Sequence, residues 1–192
     1  PLLILSENSL EHALLGIACA YVGIPYAPVS PAYSLVSKDH AKLRDIAATL
    51  KPGAIYADDG AAFGPALAAI AAPDRPVIAL TAPGDGIAFD SLLGGPTLRA
   101  DAARAGLTEE TVVKYLFTSG STGSPKAVIN TNRMLCASQA MIRDCYRFLN
   151  HQPPVVLDWA PWNHTAAGNK SFYLVMTNGG TYYIDDGRPA PG

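Results

Sequence analysis

Short apolar runs of strand character alternate along most of the chain with segments whose apolar residues recur at helical spacing. Few folds tolerate that alternation. Leu2 to Leu5 is the first such run, and Ser9 then opens a helical segment in which Leu10, Leu14, Ile17, Ala18 and Tyr21 make a stripe. Gly23 and Pro25 stop it, and Ile24 to Val29 continues extended. Ser37 opens a second helix striped by Leu43, Ile46, Ala47 and Leu50, which ends at Lys51-Pro52-Gly53 before the strand Ala54 to Ala57. An Ala-rich helix over Ala61 to Ala72 leads to the strand Val77 to Leu80. Strands joined through helices pair side by side in parallel, because a parallel pair needs a long crossover. The expectation is an α/β fold of largely parallel sheet with crossover helices.

The pattern weakens from Thr81 to Gly106, where Pro83, Gly84, Gly86, Gly94, Gly95 and Pro96 mark loop around a short helix at Phe89 to Leu93. It returns with strands at Val112 to Thr118 and Ala127 to Asn130. A helix follows, striped by Met134, Ala137, Met141, Cys145 and Phe148, with Met134 and Met141 expected in the core. Val155 to Trp159 reads as strand and Thr165 to Met176 as helix. Asn178-Gly179-Gly180 then turns into the strand Thr181 to Ile184.

Composition narrows the function classes. With 14 Lys+Arg against 16 Asp+Glu and a net charge of −2, the 192 residues carry neither a basic arm for nucleic acid nor an acidic disordered tail. The longest uncharged stretch, His12 to Ser37, is interrupted by Pro25, Pro28 and Pro31, so a membrane span is not expected. Three cysteines, Cys19, Cys136 and Cys145, are too few for a disulfide framework. Cys136 and Cys145 fall on opposite faces of one helix and cannot pair. A reducing, cytoplasmic compartment follows. No basic n-region stands before the opening apolar run, so a secretory leader is not expected, and both ends read as cut from a longer protein.

The chemistry is concentrated in Val113 to Ala127. An apolar strand runs into Ser119-Gly120-Ser121-Thr122-Gly123-Ser124, then Pro125-Lys126, then another strand. Small residues let backbone N–H groups converge on an anion, and a lysine whose reach is limited by the preceding proline supplies a point charge suited to phosphate. Ser119, Ser121 and Thr122 add hydroxyls, with Thr122 a candidate magnesium ligand. A polar hairpin connection is the plainer alternative, but a tight hairpin spends about two residues, and this loop is longer and ends in Pro-Lys. Other loops fail: Pro125 and Ala127 flank Lys126 where a Walker loop needs Gly and Ser/Thr, and neither Ser119 nor Ser121 has the glycines of a hydrolase elbow.

The run Phe117-Thr118-Ser119-Gly120-Ser121-Thr122-Gly123-Ser124-Pro125-Lys126 resembles the phosphate loop of the acyl-adenylate-forming superfamily, with Ala127 where that family usually has Gly. Pro161-Trp162-Asn163-His164 is similar to the Pro-x-x-His element that follows that loop. Its wording, with Asn178-Gly179-Gly180-Thr181 and Ile184-Asp185-Asp186-Gly187, resembles feruloyl-CoA synthetases, as does the early stretch Leu3 to Pro31. Ala166-Ala167 is smaller than that likeness suggests.

The resemblance implies ATP, Mg2+ and coenzyme A as cofactors and a small carboxylic acid, aromatic in preference, as substrate. Thr118, Ser119, Gly120, Ser121, Thr122, Gly123 and Lys126 would hold the β- and γ-phosphates, with Lys126 and Thr122 acting in catalysis. Trp162, Asn163 and His164 would border the acid. The family's later elements, among them a Tyr-Gly-x-Thr-Glu run and a mobile C-terminal domain with a catalytic lysine, are not in the sequence. The chain therefore reads as a partial N-terminal AMP-binding domain over 1–192, with little activity alone. Two alternatives stand beside this: a fatty-acyl- or amino-acid-activating relative, and a stand-alone nucleotide- or partner-binding domain. Taken singly, Trp162 and His164 also fit a core aromatic and a satisfied histidine. His12 and His40 read as surface residues, and His151 as a helix-end residue.

Overall fold

The computed structural model describes residues 1–94, 97–118 and 123–185. In chain order the elements are β1 (Leu2–Leu5), α1 (Leu10–Val22), β2 (Tyr26–Pro28), α2 (Ala41–Leu50), β3 (Ala54–Asp59), α3 (Gly64–Ala69), β4 (Val77–Thr81) and β5 (Ile87–Ala88). Then come α4 (Leu98–Ala105), β6 (Val112–Thr118), β7 (Lys126–Thr131), α5 (Asn132–Cys145), β8 (Val155–Asp158), α6 (Phe172–Thr177) and β9 (Thr181–Ile184).

Among the described residues, seven strands form one sheet in the order β5-β4-β3-β1-β2-β6-β7, and β8 and β9 form a second, two-stranded sheet. Pairing is parallel from β5 through β6 and again between β8 and β9. The expected α/β fold is therefore present. β7 is the exception: it pairs antiparallel with β6, and the two strands form a hairpin.

Period-two alternation divides the central strands between two helical layers. Leu3, Leu5, Ala27, Val29, Ile55 and Ala57 face α2 and α3, packing on Leu43, Ile46, Phe63 and Ala66. Leu2, Ile4, Tyr26 and Tyr56 face the other way, toward Cys19 of α1 and Leu135 of α5. Each fully buried Leu or Ile of these layers contributes about 2 kcal/mol of hydrophobic stabilisation. A third cluster of Trp162, Ala167 and Phe172 joins the two-stranded unit to Ala13 of α1.

Local signals set several ends. The Ser9 side chain accepts a hydrogen bond from the His12 amide and caps α1, as its position predicts, and Gly23 ends that helix at φ +76°. Ser37 does not begin a helix directly. It accepts from the His40 amide at 3.0 Å, and α2 starts one residue later, at Ala41. The Ala-rich helix is shorter than expected, because the Asp59 carboxylate binds the amides of Ala61 and Ala62 in a turn before α3 begins. The segment read as one helix over Thr165 to Met176 is a π-type turn at Ala166–Ser171 running into α6. The weakly patterned region contains β5, a 3₁₀ turn at Phe89–Leu92, and α4.

Two helices bury a face other than the expected one. On α1 the stripe Leu10, Leu14, Ile17 and Tyr21 is exposed, while His12, Gly16 and Cys19 face the sheet. Size, not hydrophobicity, decides this: a Cβ on Gly16 would lie 3.2 Å from the Tyr26 ring, so only a small residue admits that approach. On α5 Met134 and Met141 are exposed and Leu135 and Gln139 are buried, which corrects the expectation that the methionines are core. The three cysteines are free, and no helix among the described residues is long and apolar enough to cross a membrane.

Candidate active site

Ligands in open α/β sheets lie beyond the carboxyl ends of strands, where neighbouring connections leave in opposite directions. Here β2 continues back across β1 to β3, whereas its neighbour β6 continues outward to β7. The carboxyl ends of β1, β2 and β6 lie at the same sheet edge. A cleft of about 470 Å³ opens at that edge, lined by Ser6 and Asn8 after β1, Pro31 after β2, Trp159 and Trp162 after β8, and Asp185 after β9. Its volume suits a small organic ligand. The carboxyl ends of two parallel sheets thus converge on one space.

The loop segment enters from β6. Thr118 is its last strand residue and is exposed, and it pairs in register with Lys126, the exposed first residue of β7. Gly123 has φ +100° with open space where a side chain would stand, so glycine is required there for backbone conformation alone. Ser119, Gly120, Ser121 and Thr122 lie outside the described residues. No group of three His, Cys, Asp or Glu able to hold a metal ion occurs among the described residues.

Of the acid-pocket candidates, Trp162 and Asn163 line the cleft. His164 is exposed and is not among the residues lining the cleft. Its amide donates to the Pro161 carbonyl at 3.0 Å, and its Nδ1 accepts from the Ala166 amide. Trp162 combines both readings of a buried aromatic. Its indole N–H donates to the Tyr182 hydroxyl at 3.1 Å, and its ring meets Phe172, His12 and Tyr182 with centroids 4.8, 5.1 and 5.6 Å away. Core packing holds the wall of the cleft.

Four contributors escaped the sequence reading. Trp159, half exposed, lines the cleft beside Trp162. Asn8 donates to the Ala160 carbonyl at 2.8 Å and accepts from the Trp162 amide at 2.9 Å, so one side chain clamps the segment from both sides. His12 was expected at the surface and is instead 4% exposed, its Nδ1 3.0 Å from the Ser6 hydroxyl and 3.1 Å from the Glu7 carbonyl. Lys114 is 1% exposed and donates from Nζ to the Gly168 carbonyl at 2.6 Å, with the Tyr173 and Tyr26 rings 4.7 and 5.9 Å away. A bulge between Val112 and Lys114 re-aims β6 locally, and no periodicity in the sequence announces it. For Asn8, the Asn-Ser pair just before a helix start was the available signal, and it reads equally as capping.

Burial dominates the electrostatics. It lowers the His12 pKa to about 4 against the opposing Glu7 hydrogen bond, and the Lys114 charge lowers it further. His12 is thus neutral in the fold at pH 6 but partly protonated in the unfolded chain, which binds more protons. Stability is full above the ordinary histidine pKa and falls as pH drops toward 4, by about 3 kcal/mol for this group. His12→Gln is expected to flatten that decline. Urea midpoints of both proteins at neutral and mildly acid pH measure it, and parallel declines refute the assignment. Burial likewise brings the Lys114 ammonium down to about 7.

The largely parallel sheet covered by helices on both faces, with a crevice at its carboxyl edge, defines an α/β protein of the doubly wound class. The sequence matches the AMP-binding enzyme family over residues 1–191, and the chain belongs to that family. No curated protein matches the sequence. Among solved structures it is similar to ATP-bound MatB from Rhodopseudomonas palustris, with a TM-score of 0.71 and 20% identity over 98% of this chain and 35% of that one. It is similar also to a malonyl-CoA ligase complexed with methylmalonyl-CoA and AMP (TM-score 0.71, 17% identity, 95% of this chain and 34% of that one). The amide bond synthetase McbA from Marinactinospora thermotolerans shares a TM-score of 0.71 at 18% identity, over 98% of this chain and 35% of that one. At such identities the likeness speaks for the fold. The chain spans about a third of the length of these structures.

Proposed function

We propose that this chain is the N-terminal part of an ATP-dependent acyl- or aryl-CoA synthetase of feruloyl-CoA synthetase type, working in the cytoplasm. The observation that carries the reading is the cleft at the carboxyl edge of the sheet, walled by two tryptophans, at the edge where β6 also ends in Thr118. In this reading a carboxylate attacks the α-phosphate of ATP and the bond to pyrophosphate breaks; the thiol of coenzyme A then loses its proton and takes the acyl group, the acyl–phosphate bond breaking to release AMP. Thr118, Ser119, Gly120, Ser121, Thr122, Gly123 and Lys126 hold the β- and γ-phosphates, and Lys126 offsets charge building on the leaving pyrophosphate. Thr122 is the residue that would hold magnesium, which when bound supplies further neutralisation of phosphate charge.

Trp162 and Asn163 border the acid together with Trp159, and His164 stands at the outer end of the same turn. Flat tryptophan surfaces favour an aromatic acid through offset or edge contacts worth about 1 kcal/mol each beyond area burial. The residues needed to complete the nucleotide site and the second half-reaction belong to a longer polypeptide.

The test is pyrophosphate release by the full-length protein with ATP, coenzyme A and a panel of aryl, fatty and amino acids. The expected result is preference for hydroxycinnamate-type acids, ferulate among them. A clear preference for a fatty or amino acid overturns the aryl assignment, and absence of ATP-dependent turnover with every acid overturns the synthetase reading.

A further inference from the structure

We propose that Lys114 is a positioning residue: it holds the acid-bordering segment in fixed relation to the phosphate-loop hairpin, a role that rests on the adenylation reading above. Lys114 stands on β6 four residues before Thr118, where the loop begins. Its ammonium reaches across to the carbonyl of Gly168 at 2.6 Å, in the π-type turn that follows the acid-bordering segment. Gly168 lies against Trp162 so closely that a Cβ would be 2.1 Å from the Trp162 carbonyl oxygen. Its amide also donates to the His164 carbonyl at 2.8 Å. A short chain of contacts therefore runs from the phosphate-loop strand to the cleft wall.

The neighbouring residue is held by the same hairpin and the helix after it. Asn169 donates to the Asn130 side chain on β7 at 2.8 Å, and Gln139 of α5 donates to the Asn169 carbonyl at 2.8 Å. Asn130 is the register partner of Lys114, so two residues side by side on the hairpin grip two consecutive residues of the turn. On the opposite side, Asn8 ties the segment to the end of β1.

Filling space does not require a lysine. An unbranched apolar chain would pack the same slot between Tyr26 and Tyr173 and spare the burial of a charge, but it would leave the Gly168 carbonyl without this donor. The groups facing the ammonium are the His12 imidazole from α1 and the Tyr26 and Tyr173 rings. Among the described residues no carboxylate offsets its charge. What the lysine adds over a hydrophobe is one hydrogen bond to a backbone atom that carries the cleft wall. Alignment between carboxylate and α-phosphate is where that rigidity acts, because small misplacements of reacting groups cost large factors in rate.

Lys114→Met in the full-length protein tests this with two readouts. Hydrogen exchange on the resting protein is expected to rise about tenfold in residues 159–169 while β1 to β4 stay protected. Turnover is expected to fall about 10- to 100-fold in kcat, with the KM for ATP within twofold of the parent and the melting temperature lowered by no more than about 5 °C. Unchanged exchange in residues 159–169 overturns the proposal. So does a loss of protection across the whole sheet in step with lower melting temperature, which marks a residue needed only for folding. If the parent protein activates no acid, the adenylation reading fails by itself, and the exchange experiment alone decides whether Lys114 holds the segment.

Discussion

Lys126→Ala in the full-length protein is expected to lower pyrophosphate release about 100- to 1,000-fold, the scale seen when one preorganised electrostatic contact to a developing charge is removed. The melting temperature should move by no more than about 2 °C, because an exposed side chain away from caps and cores costs little when truncated. Lys126 meets that condition as the exposed first residue of β7, opposite Thr118. The pair of measurements matters more than either alone. Activity lost with stability retained assigns the ammonium to the phosphates. Equal loss of both makes Lys126 a structural residue and leaves the loop a polar hairpin, the plainer reading of its Gly, Ser and Thr content.

Gly168→Ala is expected to destabilise the fold by about 3 kcal/mol or more, and to lower the melting temperature by about 10 °C. The added Cβ would stand 2.1 Å from the Trp162 carbonyl oxygen and 3.0 Å from its carbon, and both are backbone atoms that cannot swing aside. Relief requires moving the π-type turn off the cleft wall, which strains the Lys114 and Gln139 hydrogen bonds together. Gly64→Ala is the control. That glycine opens α3 with nothing within 4 Å of a new Cβ, and the same substitution should be neutral or stabilise by up to about 1 kcal/mol. Thermal melts of the three proteins decide it. A drop at Gly168 no larger than at Gly64 would show that the turn does not bear on the Trp162 backbone.

The contrast between α2 and α1 shows how far one sequence can be read. On α2 the stripe Leu43, Ile46 and Ala47 is the buried face, because the helix packs on the sheet through ordinary aliphatic contacts. On α1 an equally regular stripe faces outward, because Gly16 and Cys19 allow the helix to settle on Tyr26. Periodicity locates a stripe in both helices, but the side that meets the sheet depends on the volume of a residue on another strand. The same blindness hid His12, whose charged and polar neighbours suggested solvent.

What the sequence determined alone was whatever depends on neighbours within a few residues. Alternating strand and helix patterns specified the α/β class, and Ser9 marked the start of a helix through its own cap; the small residues and one cation from Thr118 to Lys126 are the local signal behind the phosphate loop proposed above. The tertiary structure decided everything that required distant segments to meet. It set the antiparallel return of β7, the cleft shared by the ends of β1, β2, β8 and β9, and the Asn8 clamp across 152 residues of chain. It also buried Lys114, because a bulge re-aimed the strand and a glycine carbonyl 54 residues away became its partner. Spacing along a chain records local geometry, whereas partnership across it is chosen by shape and by the need to satisfy each buried polar group.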